Sequence, residues 1–216
     1  LDLRRERQQA IFRIEGTLCK AYREFLSSEG FIEVRTPKII ATGTEGGASL
    51  FPVVYFDKEA FLAQSPQFYK QMLVGAGFER VFEIAPVYRA EEHDTPFHLN
   101  EYISLDLEMG FIESELDVMK TCERLIKFML KKVIEENRAE LELFEAKISD
   151  LKKEFPIIHY WDIPKILKKY KKEFDPLQDL SREHEQLLCD YAKKEFGSEF
   201  AFVGNYPKAK RPAYTM

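Results

Sequence analysis

The chain has 216 residues, a formal net charge of −5, 45% hydrophobic and 32% charged residues. That composition suits a protein with an ordinary buried core and argues against an overall basic nucleic-acid binder; the basic runs at Lys152–Lys153 and Lys168–Lys172 read first as solvated helix surface. No apolar run approaches the ~20 residues that span a bilayer, and the opening LDLRRERQQ is charged rather than signal-like, so no membrane role is expected. Cys19, Cys122 and Cys189 are far apart and odd in number, which suits neither a disulfide framework nor a zinc site. Reduced thiols in a cytoplasmic protein are the expectation.

Residues 3 to about 28 predict one long helix, with Ile11, Ile14, Leu18, Ala21 and Phe25 at helical spacing and Gly30 as its stop. FIEVRTP alternates as a strand that Pro37 ends. ATGTEGGASL is a loop by its glycines. FPVVYF and AFLAQ predict a strand pair turning near Asp57-Lys58. Ser65-Pro66 opens a helix that stops at Gly75 to Gly77. Phe82 to Met109 then alternates on both sides of a short polar loop, the pattern of an antiparallel hairpin. Ser114 to Asp117 predicts a capping box before a helix running to about 137, with Met119, Leu125, Phe128, Met129 and Val133 on its apolar side. FPIIHY, WDIPKILKKYKK, SREHEQLLCDYAKKEF and Phe200 to Val203 read as strand, helix, helix and strand. The order predicts an α+β domain, an antiparallel sheet flanked by helices; no G-x-G-x-x-G and no P-loop is present.

The hairpin carries the chemistry. Arg89 at the end of its first strand can place a planar guanidinium on a phosphate. A fixed arginine aimed where charge develops on an α-phosphate raises rate as well as affinity. Glu91 can accept from an adenine amino group, His98 can reach distal phosphates, and Tyr102 can lay its ring on a base. Asp106 and Glu108 share a strand face with Tyr102, and acids gathered there call for a cation. Each residue also has a plain structural reading: a surface ion pair for Arg89 and Glu91, a turn histidine, a half-buried aromatic, a solvated acidic face. Gln67 and Lys70 lie three apart on one helix face. Lys70 can answer a side-chain carboxylate and reject a neutral amide; its plain reading is a surface lysine.

Four blocks together resemble the class II aminoacyl-tRNA synthetases of the Asp, Asn and Lys subgroup. Gly30 to Pro37, GFIEVRTP, resembles motif 1 (about 18–39), and Phe82 to Met109 resembles motif 2 (about 81–110). Ala41 to Phe51 resembles the mobile loop that closes over the amino acid, and Gln64 to Lys70, QSPQFYK, the aspartate-specific signature. The likeness covers residues 1 to about 110 and is nearest the archaeal and eukaryotic aspartate-specific type. It implies activation of L-aspartate by ATP to aspartyl-adenylate, then transfer to tRNA for aspartate, with tRNA for asparagine left open. It implies Mg2+ with the ATP and no metal ligand within this stretch.

By the same resemblance Arg89, Glu91, His98, Leu99 and Tyr102 would hold ATP, with Arg89 the catalytic group. Glu45, Ser65, Gln67, Lys70, Arg89 and Asp106 would hold aspartate, and Pro37 would lie in a homodimer interface. Phe97 stands where the family carries a basic residue. Residues 137–198 resemble a helical insertion. Neither motif 3 nor an anticodon-binding domain is found, and both ends read as cuts through a longer polypeptide. Residues 1–216 are thus expected to be a partial catalytic domain, inactive alone in charging tRNA. Two other readings stay open: a paralogue that passes aspartyl-adenylate to ammonia to make asparagine, and a non-catalytic dimeric accessory protein of this fold.

Overall fold

A computed structural model describes residues 2–43, 49–92, 98–148 and 151–208. The chain divides into two units, Leu1–Phe144 and Glu145–Met216.

In the first unit a 3-10 turn leads into α1, Glu6–Ser28. Gly30 follows it with φ +81°, a left-handed conformation that lets Phe31 N donate back to Leu26 O at 3.0 Å. The strand expected over FIEVRTP is only β1, Ile32–Glu33, and it pairs in parallel with β5. One further bond, Val34 N to Phe82 O at 2.9 Å, extends that pairing before Pro37, which has no N–H to donate. β2 (Ile39–Ile40), β3 (Pro52–Tyr55) and β4 (Lys58–Leu62) form an antiparallel sheet in the order β2-β4-β3. The β3–β4 turn is the pair Phe56-Asp57, with Phe56 at φ +55°.

α2, Gln67–Leu73, follows Ser65, whose Oγ accepts from Gln67 N at 3.2 Å. A π-helical turn at Val74–Phe78 breaks at Gly77, φ +97°. β5 (Arg80–Tyr88) and β6 (Glu101–Met109) pair antiparallel over nine residues each, the predicted hairpin. The sheet order is β1-β5-β6. Ser114 and Asp117 form the predicted capping box of α3, Glu115–Glu136, and α4 spans Arg138–Leu143.

One sheet face packs on α1 and α3. Tyr22, Phe25, Leu26, Phe31, Phe82 and Leu125 make that core, with Ile84, Leu107, Met109, Phe128 and Met129 around it. The buried side of α1 is therefore Ala10, Ala21, Tyr22, Phe25 and Leu26. Ile11, expected inside, is 48% exposed, and its neighbour Phe12 is 58% exposed. The apolar stripe read from spacing is wider than the core it covers, so part of it faces away.

In the second unit β7 (Ile157–His159) and β8 (Phe202–Gly204) pair in parallel. Between them run α5 (Ile163–Lys168) and α6 (Arg182–Phe196), the latter capped by Ser181 and His184 and closed by Gly197 in the left-handed region. A parallel pair needs a crossover, and these helices supply it. Ile158, Tyr160, Ile163, Ile166, Leu167, Phe174 and Leu188 form this unit's own core. Among the described residues no helix is long and apolar enough to cross a membrane.

Candidate active site

The site grows from the register of one hairpin. Glu83 lies opposite Asp106, Ala85 opposite Ser104 and Val87 opposite Tyr102, so these side chains share a face. Arg89 N donates to Asn100 O at 2.9 Å, which continues the ladder one pair beyond the strands. The amide of Asn100, oriented to satisfy both, donates to Glu91 O at 3.1 Å and Arg89 O at 3.3 Å. The open end is thereby tied, with Arg89 and Glu91 half-buried and His98 and Leu99 exposed. Tyr88 N donates to Ala63 O and Ala90 N to Ser49 O, at 2.9 and 3.0 Å. These bonds bring the chain just before Gln64-Ser65 alongside Arg89.

The floor is a charged cluster. Lys70 is only 4% exposed, an unusual position for a lysine. Its Nζ donates to Asp106 Oδ1 at 2.5 Å and to Leu107 O at 3.2 Å, and lies 3.6 Å from Glu108 Oε2. Gln67 Nε2 donates to the same Glu108 oxygen at 3.2 Å, and Ser104 Oγ donates to Asp106 Oδ2 at 2.6 Å. Gln67 and Lys70 reach across to β6 because they sit one helical turn apart. The cation that these strand acids gather around is thus a residue of the chain itself. One lysine answers two carboxylates, so the cluster carries one negative charge in excess.

A second network backs the first. Glu83, 1% exposed, accepts from Thr36 N at 2.7 Å, Thr36 Oγ1 at 2.8 Å and Lys38 Nζ at 2.9 Å. It locks the Thr36-Pro37-Lys38 turn to the strand that faces Asp106. A buried carboxylate is tolerated when paired and hydrogen-bonded in this way.

The structure therefore brings Ser65, Gln67, Lys70 and Asp106 to one end of the hairpin face and Tyr102, Arg89 and Glu91 to the other. His98 and Leu99 lie at the rim, and Pro37 lies in the turn that Glu83 holds. Glu45 and Phe97 fall outside the described residues. Glu108 was legible only as an acid on the strand face, and Ser104, Asn100 and Glu83 were not singled out by sequence. For Ser104 the available signal was strand parity with Asp106; Glu83 lies on the other strand, and its place opposite Asp106 follows from the register. Among the described residues no group of three His, Cys, Asp or Glu side chains could hold a metal ion.

The chain is 51% identical over 216 residues to an aspartate–tRNA(Asp/Asn) ligase of Methanopyrus kandleri and 49% identical to an aspartate–tRNA(Asp) ligase of Pyrococcus abyssi, matching 100% of this chain and 49% of each relative. It spans about half the length of these curated relatives. The fold matches an aspartyl-tRNA synthetase of Entamoeba histolytica with TM-score 0.85 and 32% identity, covering 100% of this chain and 41% of that one. It also matches an asparaginyl-tRNA synthetase of Pyrococcus horikoshii complexed with asparaginyl-adenylate, TM-score 0.86 and 33% identity, covering 97% of this chain and 47% of that one. The model of the family described as tRNA synthetases class II (D, K and N) matches residues 1–216, and the chain belongs to that family.

Proposed function

We propose that this chain is the motif 1 and motif 2 portion of an aspartate–tRNA ligase, which joins L-aspartate to ATP as aspartyl-adenylate and then passes it to tRNA for aspartate. The observation that carries the reading is the buried Lys70, held between Asp106 and Glu108 on the face shared with Tyr102. Aspartate brings one ammonium and two carboxylates. Its ammonium takes a carboxylate from the cluster, and the released Lys70 ammonium answers its side-chain carboxylate. Asparagine supplies the ammonium but no second carboxylate, so the lysine would be left buried and poorly paired. Ser65 orders the first turn of α2, and Gln67 steadies Glu108.

ATP fits the other end of the same face. Tyr102 offers a ring to the base, Glu91 an acceptor for its amino group, and Arg89 a guanidinium for the α-phosphate, with His98 and Leu99 at the rim. No protein nucleophile is needed; the chain's contribution is alignment of carboxylate and phosphate and stabilisation of charge on the α-phosphate oxygens. Mg2+ would arrive on the ATP phosphates, with its carboxylate ligand supplied by the longer protein. Glu45 would join the amino-acid site when its loop closes.

The protein would act in the cytoplasm as a homodimer. Pro37 lies near exposed Ile32 and Ile39 in sequence, Leu3 is exposed in the 3-10 turn before α1, and α1 presents Ile11 and Phe12 outward, apolar residues suited to a second copy. The second unit would be an insertion in the catalytic domain. The test is ATP–pyrophosphate exchange by the longer protein. Exchange that requires aspartate is expected; exchange that asparagine supports equally would overturn the assignment.

A further inference from the structure

The second unit carries a groove that the adenylation site does not use. Its volume is about 300 Å³, at the lower end of small-ligand pockets. Three elements line it. β7 gives Ile157 and His159, which alternate outward from buried Ile158. Asp162, Lys165, Ile166 and Lys169 fall at helical spacing on one stripe of the α5 region, and α6 adds Tyr191 and Phe196. The walls are apolar and aromatic, with exposed Ile157 and Phe196 at the lip. Lys169 Nζ stands 5.1 Å from the centroid of the Tyr191 ring. His159 Nδ1 accepts from Trp161 N at 3.3 Å, so its proton sits on Nε2, a donor.

Charge favours an anionic occupant. Residues 145–216 hold 14 Lys and Arg against 12 Asp and Glu, a net +2, while residues 1–144 carry −7. Five lysines fall between 165 and 172. Asp162 is the one acid lining the groove, and neither Lys165 nor Lys169 is ion-paired to a described residue.

We propose that this groove binds an unpaired nucleotide of RNA. The base lies against Tyr191, Phe196 and Ile157, and the flanking phosphates lie on Lys165 and Lys169. Asp162 accepts from an exocyclic amino group. The Tyr191 and Phe196 rings meet edge to face at 76°, so each offers its own surface to a base; aromatic side chains beside a cationic rim are the chemistry of single-stranded nucleic-acid recognition, where stacking contributes about 1–3 kcal/mol per base. An acidic peptide would use the lysines but leave the aromatic wall unfilled. The inference rests on the tRNA ligase reading for its biological partner, and the groove's affinity is measurable without it.

The chain has one tryptophan, Trp161, half-exposed and next in sequence to the groove's Asp162, with its backbone N–H donated to the groove's His159, so its fluorescence reports on that segment. Titration of the 216-residue chain with a short oligoadenylate RNA should change that fluorescence. Lys165→Glu/Lys169→Glu should weaken binding by about tenfold or more and flatten the salt dependence of log K by roughly 1.4, the loss of two phosphate contacts on a single strand. A charge-matched control on α3, Lys120→Glu/Lys131→Glu, should bind as wild type. Equal loss in the control, binding by anisotropy without a Trp161 response, or a stronger Trp161 response to polyglutamate would each overturn the groove. Aspartate-dependent exchange by the longer protein is read separately. Its absence sinks the ligase reading and leaves the groove standing, while intact exchange with an unaffected lysine variant sinks the groove alone.

Discussion

Replacing Lys70 by Met keeps the length of the side chain and removes its charge. Asp106 and Glu108 then face each other with no cation between them. Breaking a buried ion pair from one side costs about 3–5 kcal/mol. Here the two carboxylates remain 20% and 25% exposed, so water recovers part of the loss. The lower end, about 3 kcal/mol, is the expected cost, with a fall in Tm of roughly 6–12 °C for a unit of this size. Circular dichroism of urea and thermal unfolding is the assay, since Trp161 lies in the other unit. The deciding measurement is a cycle. Lys70→Met leaves two carboxylates without a cation, and adding Asp106→Asn returns the cluster to a single negative charge on Glu108, so the double variant should recover at least ~1 kcal/mol relative to the sum of the singles. Strict additivity, or a single-variant cost under ~0.5 kcal/mol, would refute the argument that one lysine holds two acids. In the longer protein Lys70→Met should also lower aspartate-dependent exchange by roughly 10- to 100-fold, the effect of one charge-assisted hydrogen bond.

Glu83→Ala leaves Thr36 N, Thr36 Oγ1 and Lys38 Nζ without their acceptor, and should cost about 3–4 kcal/mol in urea unfolding; a cost below ~1 kcal/mol would mean that water replaces the carboxylate. Gly30→Ala meets no atom within 4 Å of the new Cβ, so its expected cost of about 1 kcal/mol is conformational, set by φ +81°; an unchanged Tm would contradict the left-handed assignment. Hydrogen bonds from Arg23, and then from Arg35, hold the Glu33 carboxyl below the usual range, against an opposing effect of burial. A lowered folded value means that the stabilisation is present above the unfolded pKa of about 4.3 and is lost as pH falls through the folded one. Glu33→Gln should therefore flatten the stability profile only on that acid limb, and a change confined to neutral pH would refute the pairing.

How much of this was legible in the sequence depends on how local the cause is. The hairpin was readable because alternation over nine residues on each strand has no helical interpretation, and the cap of α3 because Ser114 and Asp117 act on their own turn. The parallel pairing of β1 with β5 was not, because Ile32–Glu33 is too short to show a period and its partner lies almost fifty residues on. Ile11 misled for a different reason: an apolar stripe reports surfaces that avoid water and does not say whether its own core or a second copy covers them.

The same distinction holds inside the site. Sequence gathered Gln67, Lys70 and Asp106 through a family likeness, but whether Lys70 stands alone or among acids is a tertiary fact. It is fixed by a β5–β6 register that sets Glu83 opposite Asp106 and by a turn of α2 that lays Lys70 over β6. A solitary buried lysine would attract any carboxylate. A lysine already held by two acids yields only to a ligand that brings an ammonium for the acid as well as a carboxylate for the lysine, at the spacing of one small amino acid. Selectivity on this reading resides in the acids as much as in the cation, and the hairpin register is what makes them available.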